Sequence, residues 1–283
     1  QRTANRGSIS TGYDIDNSAV FSGANGIQFN PSSDGNRRTW TVSLWLKRSE
    51  LSTETTIFGS QNTVMVLMDP DWFRFSLYTG SATYYFDTEN SGPVYRDTSA
   101  WYNFVFQCDT TQGTAADRAK LWVNGESVTN TNSNTIPQNA EFDLNDNTKN
   151  IQVGYFYAGN EQLDGYLSEI HFTDGVANDP TEFGEYDNDS GIYPSQATDT
   201  PTNNFCTFNP LMTQNNPPTI SEGAMKSTGG GGTWNQTWGN IGVKNGKWYY
   251  EFKVANASST GYFGASTTPA EGSSTTANTL MYN

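Results

Sequence analysis

The sequence predicts an all-β protein built around an antiparallel sandwich, and three observations favour this fold class. No stretch keeps the apolar period of 3.6 residues over the three or four turns that an amphipathic helix needs. Candidate strands instead recur at spacings of about eight to twelve residues and are separated by Gly, Asn and Asp. Aromatic residues make up 14% of the chain, which supplies large apolar side chains to a core despite an overall hydrophobic share of 34%.

The segment Trp101–Val128 carries the clearest strand pattern in the chain. Apolar residues alternate along its first strand, so one face is expected to collect Tyr102, Phe104, Phe106 and Cys108. The dipeptide Asn124-Gly125 tolerates positive φ at both centres of a type I′ turn. We therefore expect Lys120–Val123 and Glu126–Val128 to pair as a hairpin in the middle of the sandwich.

The remaining strands follow from apolar or alternating runs bounded by turn-forming residues. The strands predicted in the first part of the chain are Trp40–Lys47, Thr56–Ser60, Thr63–Met68, Trp72–Tyr78, Thr83–Phe86, Trp101–Asp109, Ala119–Val123, Ile151–Tyr157 and Tyr166–Thr173. A short helix is predicted at Pro180–Tyr186, with Asp179 as the residue that caps its first turn.

Composition divides the chain into four segments. These are a polar arm or linker at residues 1–17, a sandwich domain at 18–187, a linker rich in turn formers at 188–203 and a second β domain at 204–283. The second domain contains strand candidates at Lys247–Ala255 and Thr260–Ser266. So few strands can hardly bury a sandwich core, so we expect this domain to be truncated or completed by another chain.

Charge and cysteine content exclude several classes of function. The net charge is −14 and the pI is near 4.3, so the surface of the protein repels the negatively charged phosphate backbone and no nucleic-acid partner is expected. No apolar run is long enough for a membrane helix, so no membrane insertion is expected. Cys108 and Cys206 are expected to be two separate thiols rather than a disulfide.

Three motifs in order resemble laminin-G-like and pentraxin-like domains. They are TWTVSLWLKRSE, the aromatic strand of Trp101–Val128 with its later LWVNG, and LDGYLSEIHFTDGVANDPTEF. The resemblance covers residues 18–187 and implies a concanavalin A-like lectin/glucanase jelly roll. Such a resemblance is specific for fold and says little about ligand.

The later run GKWYYEFKVANASSTGYFGAS resembles the start of a SPRY-type sandwich, which implies a second, incomplete β-sandwich. Both domains together, in an acidic chain rich in Asn, Thr and Gly, are similar to virion proteins of marine tailed phages. This similarity implies an extracellular virion surface protein, a tail fibre or a capsid decoration, that acts in host attachment. It also implies other virion subunits and a host-surface glycan as partners, and a homo-oligomer, with a trimer favoured. A purely structural virion subunit is the alternative.

Enzymatic activity is not predicted. Glucanases of this fold class use a strand of the form E-x-D-x-x-E, which supplies a nucleophile and a proton donor. The chain approaches this frame at Glu185 but has Ser190 where the second Glu belongs. His171 is the single histidine and no G-x-S-x-G motif accompanies it, so we interpret it as a strand-face residue. The glycines at Gly229–Gly232 lack the flanking residues of a phosphate cradle. A polysaccharide-degrading glycosidase remains the less favoured alternative.

Calcium is the ion that the sequence favours over zinc. The resemblance implies a rim loop with Asp, Asn and carbonyl oxygens, and the segment FDLNDN supplies Asp143, Asn145, Asp146 and Asn147. Two alternative groups are Asp14, Asp16 and Asn17 in the arm, and Asp69 and Asp71 beside Pro70. Asn and Asp are also common turn formers, so a plain turn remains open at each place.

Aromatic residues in or beside strands are candidates for stacking on sugar rings. They are Tyr84, Tyr85, Tyr155 and Tyr157, with Trp72 and Tyr78 as further members. Within the predicted strand Ile151–Tyr157, Tyr155 and Tyr157 share one face, which lies outward if Phe156 points inward. Packing in the core or in a subunit interface is the alternative for all of them.

Overall fold

The computed structural model of the chain describes residues 15, 17–23, 26–89, 91–156, 161–184, 206–214, 217–229, 235–243, 249–250, 252–253, 263–266 and 279–282. Regular structure in these ranges is almost entirely strand. The strands are β1 Ala19–Ser22, β2 Ile27–Phe29, β3 Thr39–Arg48, β4 Thr55–Ser60, β5 Thr63–Met68, β6 Trp72–Tyr78, β7 Thr83–Asp87, β8 Tyr102–Asp109, β9 Ala119–Val123, β10 Glu126–Val128, β11 Ile151–Val153, β12 Asp164–Asp174, β13 Phe208–Gln214, β14 Thr219–Ser221, β15 Lys226–Thr228, β16 Gln236–Gly239, β17 Phe263–Ser266 and β18 Thr279–Tyr282. Two 3-10 turns, Ala115–Asp117 and Pro180–Glu182, complete the described elements.

Twelve of these strands form two antiparallel six-stranded sheets, which confirms the predicted sandwich. The first sheet has the order β1-β12-β3-β8-β9-β10 and the second has the order β2-β11-β4-β5-β6-β7. Strands that are distant in sequence lie side by side, as where β3 pairs with both β8 and β12. Among the described residues, no helix has the length and hydropathy needed to cross a membrane.

The core lies between the two sheets and is dominated by aromatic rings. Phe104, Phe106 and Cys108 of β8 are fully buried on one face, as their alternation predicts, and Tyr102 packs at its margin. Phe106 contacts Phe75 of the second sheet, with ring centroids 4.4 Å apart. Burying one such side chain contributes about 1.5–3 kcal/mol, so these contacts join the two sheets strongly.

The hairpin at Asn124-Gly125 forms as predicted. Asn124 and Gly125 have φ values of 51° and 79°, the signature of a type I′ turn, and β9 and β10 pair in register through Val123 and Glu126. The side chain of Asn124 also accepts a hydrogen bond from the backbone N–H of Asn103 at 2.8 Å. This bond attaches the turn to the neighbouring strand β8.

Two predicted elements are shorter in the structure. The strand expected at Ile151–Tyr157 ends at Val153, because Gly154 adopts φ +76°, a left-handed conformation that takes the chain out of the strand. The helix expected at Pro180–Tyr186 is a single 3-10 turn, and the side chain of Asp179 makes no capping hydrogen bond.

The described part of the C-terminal segment forms three two-stranded sheets, and it agrees with the predicted strands only in part. Tyr249, Tyr250 and Phe252 lie outside any strand, so the strand expected at Lys247–Ala255 is wrong for these residues. Of the strand expected at Thr260–Ser266, the structure describes Phe263–Ser266, which form β17. The predicted linker at 188–203 lies outside the described residues.

The turn between β14 and β15 contacts the sandwich directly. The hydroxyl of Tyr166 donates to the carbonyl oxygen of Gly223 at 2.9 Å, and the N–H of Gly223 donates to Asp164 Oδ1 at 3.0 Å. Ala224 beside it is completely buried. The pKa of Asp164 is raised to about 6, mainly by burial and to a smaller extent by the charge of Glu50, and the hydrogen bond from the Gly223 N–H opposes this rise.

Candidate functional site

The outer face of the second sheet carries polar and aromatic side chains at its β6–β7 edge. Phe73, Phe75 and Leu77 point into the core, so the alternate residues of β6 point outward. The register aligns Arg74 with Asp87 and Ser76 with Tyr85 across the two strands. Residues from both strands therefore meet on one surface.

Arg74 is the centre of this surface. Its guanidinium carbon lies 4.5 Å from the ring centroid of Trp72 and 4.6 Å from that of Tyr85. Both distances are within the range of cation–π attraction, so the two rings hold the cation between them. We call Trp72, Arg74, Tyr85, Asp87 and Asn132 the Arg74 cluster.

Asp87 fixes the position of the guanidinium and is itself held by a loop. Its Oδ2 lies 3.4 Å from Arg74 Nη2 and accepts a hydrogen bond from Asn132 Nδ2 at 2.9 Å. Its Oδ1 accepts from Thr131 Oγ1 at 3.1 Å. These partners fix the buried carboxylate, so the cluster is held in place before any ligand arrives.

The cluster has the chemistry of a small polar binding site. Tyr85 is half-buried and offers part of a ring face, while Arg74 offers N–H donors. The Nε of Arg74 is buried and has no acceptor among the described residues. A ring face beside fixed donors can orient a ligand that has one apolar and several hydroxylated faces, such as a sugar ring.

The aromatic residues predicted to stack on sugar rings do not all lie on the same surface. Tyr85 and Trp72 join the cluster, whereas Tyr84 points to the other face of β7 and packs, partly buried, against the core, so sugar binding by Tyr84 stays a prediction. Tyr78 uses its hydroxyl to donate to Gly80 O at 2.8 Å. Neighbouring strand residues alternate in direction, which is why Tyr84 and Tyr85 cannot act together.

Tyr155 lies at the other edge of the second sheet. Its hydroxyl donates to Oε1 of Gln28 on β2, and the order of the sheet places β2 and β7 at opposite edges. Tyr155 is outside any strand, and Tyr157 lies outside the described residues, so their common face stays a prediction. The structure therefore does not bring Tyr155 to Tyr85.

Two glutamates that the sequence did not single out lie near a row of strand residues in this sheet, most of which are buried. Thr56, Val66, Arg74 and Asp87 form one row across β4, β5, β6 and β7. Thr56 Oγ1 donates to Glu161 Oε2 at 3.3 Å, which places Glu161 at the β4 end of the row. Partial burial and the charge of Glu161 raise the pKa of Glu54, while Arg74 lowers it. No motif marks either residue, because Glu161 reaches the row only through folding.

The rim residues predicted as calcium ligands do meet, but they surround an arginine. Arg37 lies 3.7 Å from Asp143 and 3.4 Å from Asp146, and Asn145 Nδ2 donates to Asp174 at 2.8 Å. Burial raises the pKa of Asp143, whereas hydrogen bonds from Thr148 lower that of Asp146. The N–H of Asn147 donates to Asp34 at 2.8 Å, on a cleft of about 460 Å³ beside this loop.

Within the described ranges, no group of three or more His, Cys, Asp or Glu side chains is arranged to hold a metal ion. Of the alternative calcium ligands, Asp71 is fully buried and paired with Arg48 and Arg96 at 2.7 and 3.0 Å. The backbone oxygen of Asp69 accepts from Trp72 Nε1 at 3.2 Å. Asp14 and Asp16 lie outside the described residues, and the backbone oxygen of Asn17 accepts from Ser168. Calcium binding at Asp143–Asn147 stays a prediction.

The described residues that were considered as catalytic or reactive groups are not arranged as a catalytic site. His171 is half-exposed and lies 3.1 Å from Glu169, without a nucleophile in its described contacts. Cys108 is buried and Cys206 is exposed, and both are free thiols, as predicted. Burial raises the pKa of Cys108 well above its ordinary value, which keeps this thiol protonated. Glu185 and Gly230–Gly232 lie outside the described residues.

The comparison with known protein families matches the part of the chain that forms the sandwich. A family model described as the concanavalin A-like lectin/glucanases superfamily matches residues 21–181, more than half of the chain. No curated protein sequence matches the chain.

Several solved structures are similar to the chain at low identity. A putative carbohydrate binding protein from Bacteroides ovatus is 15% identical over 79% of this chain and 60% of its own, with a TM-score of 0.45. A heptameric SAP-like pentraxin from Limulus polyphemus is 13% identical over 56% of this chain and 77% of its own, with a TM-score of 0.39. A Ruminococcus gnavus sialidase CBM40 bound to α2,3-sialyllactose is 16% identical over 56% of this chain and 94% of its own, with a TM-score of 0.39.

Proposed function

This chain belongs to the concanavalin A-like lectin/glucanases superfamily, and from that membership we propose that it is a non-enzymatic attachment protein that binds carbohydrate through the Arg74 cluster. One observation carries the proposal: a guanidinium held between the rings of Trp72 and Tyr85 beside a buried, fully bonded carboxylate. Such a preorganised polar and aromatic surface costs little to order when a sugar binds.

Each member of the cluster has a role in the proposed binding. In this proposal Tyr85 offers the accessible part of its half-buried ring to the apolar side of a sugar ring, while Arg74 donates to hydroxyl oxygens. Asn132 is already bonded to Asp87, so it positions the carboxylate rather than the sugar. A shallow site of this size binds weakly, and several copies in a homo-oligomer, a trimer in our proposal, strengthen attachment through multivalency.

We place this binding on the surface of a tailed-phage virion, as part of a tail fibre or a capsid decoration. The support is the order of the sequence motifs in an acidic chain rich in Asn, Thr and Gly. Other virion subunits and a host-surface glycan are the proposed partners. The SPRY-like resemblance adds no support, because the described residues Tyr249, Tyr250 and Phe252 of its first strand are not in a strand.

Glycan binding by the purified protein tests the proposal. The protein is screened on a glycan array with calcium and with EDTA, and the dissociation constant for the best ligand is measured by calorimetry. Tyr85→Ala should weaken binding about tenfold or more, since loss of about 1.4 kcal/mol is a tenfold change. Trp122→Ala, on the first sheet, is the matched control, and Tyr155→Ala should also bind normally. Normal binding by Tyr85→Ala would show that the sugar does not bind at the Arg74 cluster.

A purely structural subunit is the second candidate, and the edge strands favour it. Ile27 and Phe29 on β2 are 52% and 50% exposed, and Val20 on β1 is 47% exposed. β1 and β2 are edge strands of their sheets, so these apolar side chains are open to a neighbouring subunit. No binding to any glycan, together with loss of the oligomer in Phe29→Glu measured by light scattering, would favour this candidate. Reducing sugar released from host polysaccharide, and lost with Glu185→Gln, would instead favour a glycosidase.

A further inference from the structure

We propose that the protein pairs with a second copy of itself through strand β2, in a two-fold contact that joins the second sheets of the two copies edge to edge. The inference goes beyond the proposed function, because it holds whether or not the Arg74 cluster binds sugar. It assigns the exposed apolar side chains of β2 to one partner, an identical chain, and to one register.

The outer edges of the two sheets are protected to different degrees. The edge at β7 is covered by a loop, since Asn130 Oδ1 accepts from the N–H of Asp87 at 3.0 Å and the N–H of Thr131 donates to the carbonyl oxygen of Asp87 at 2.9 Å. The edge at β10 carries the exposed Glu126. Covering loops and charges are common means of keeping another chain from pairing with an edge strand. Within the described part of the chain, β2 has neither.

The exposed apolar residues of β2 face the gap between the two sheets. Ile27 and Phe29 pair with Val153 and Ile151 of β11, which are buried in the core, so all four side chains lie on the inner face. Ile27 and Phe29 are nevertheless 52% and 50% exposed, because β2 is the last strand of its sheet. The apolar core therefore continues to the edge and is open there, which marks a surface that another chain can cover.

The pattern of β2 is complementary to itself. When two copies of the strand pair antiparallel about a two-fold axis at Gln28, Ile27 lies opposite Phe29 of the partner subunit. The two apolar pairs then share one face, where they exclude water from each other. The main-chain groups on the outer side of β2 gain hydrogen-bond partners in the same step. Two-fold contacts of this kind use the same surface on both copies.

The distribution of charge indicates that the partner is a second copy. Each chain carries a net charge of −14, so two copies repel each other over much of their surface. Residues 17–33, which include both β1 and β2, contain no ionisable side chain. Two identical chains can therefore approach at this edge without bringing like charges together. A basic partner would instead be favoured by acidic side chains, which β2 does not have.

Light scattering after gel filtration, over a dilution series, tests the inference on the full chain. Phe29→Glu should halve the mass of the parent, whether the unit that pairs is a single copy or the proposed trimer, because the contact would bury two unpaired carboxylates. Val176→Glu is the matched control, since it adds the same charge at a side chain that is 50% exposed outside the strands, and it should keep the parental mass. Circular dichroism checks that each variant is folded.

A pair of opposite charges tests the register and the identity of the partner. Ile27→Lys alone should also halve the mass. A mixture of the Phe29→Glu and Ile27→Lys proteins should recover the paired mass, because the two-fold register places the two introduced charges opposite each other. A parent with the same mass as Phe29→Glu at every concentration, or a mixture that stays unpaired, would overturn the inference. Neither result bears on sugar binding, which the glycan array decides separately.

Discussion

The contact between Asp164 and the β14–β15 turn makes the stability of the protein depend on pH. Asp164 is 8% exposed, and its burial raises its pKa from the ordinary 3.8 to about 6. The folded protein therefore binds a proton at this carboxyl between about pH 4 and pH 6, where the unfolded chain has released it. Because the folded state holds more protons in this window, the contribution of Asp164 to stability falls as pH rises and is lost above the folded pKa.

The size of the effect follows from the shift. A raised pKa of about two units corresponds to about 3 kcal/mol at most, and partial solvent access at the carboxyl reduces this to about 1–2 kcal/mol. Asp164→Asn removes the titrating group, yet its amide oxygen can still accept the N–H of Gly223. At pH 7.5 the variant should therefore be as stable as the parent or more stable, by up to the same amount.

Urea unfolding followed by circular dichroism from pH 4.5 to pH 8 provides the measurement. Other carboxyls also titrate, so the relevant quantity is the difference in unfolding free energy between parent and variant at each pH. This difference should grow in favour of the variant as pH rises through 6, and Asp117→Asn, at an exposed surface carboxyl, should show no such trend. A difference that is constant across the range, or that grows towards low pH, would refute the reasoning.

Two further predictions concern the core and the rim. Phe106→Ala should lower the free energy of unfolding by about 3–5 kcal/mol, measured by urea denaturation, because it leaves a cavity beside Phe75; a loss below about 1 kcal/mol would contradict the tight packing. Calcium should not raise the melting temperature of the parent protein, because Arg37 already neutralises Asp143 and Asp146, whereas Arg37→Gln should create a calcium-dependent rise. A calcium-dependent rise in the parent itself would instead support the ion predicted from the sequence.

The sequence predicts the strands well where the pattern is local. β5, β6 and β9 begin and end at the predicted residues, because alternation and flanking turn residues are properties of neighbouring positions. The prediction at Ile151–Tyr157 is too long because Gly154 turns the chain with a positive φ, which an apolar pattern does not reveal. Tyr84 and Tyr85 were equal candidates until the fold showed which face of β7 is buried.

The chemistry of the surface depends on contacts that no local pattern encodes. Arg74 meets Asp87 through the register of β6 and β7, and Glu161 reaches Thr56 from a distant loop. Arg37 likewise lies between Asp143 and Asp146 only after the rim loops close.

The amino-acid sequence by itself determined an all-β sandwich, most of the strand positions in it and its Asn124-Gly125 hairpin, because period-two alternation and turn conformations are set by a few neighbouring residues. Only the tertiary structure decided which aromatic ring joins Arg74 and which carboxylates surround it. Those relations depend on strand register and loop closure, which fix distances between residues far apart in the chain.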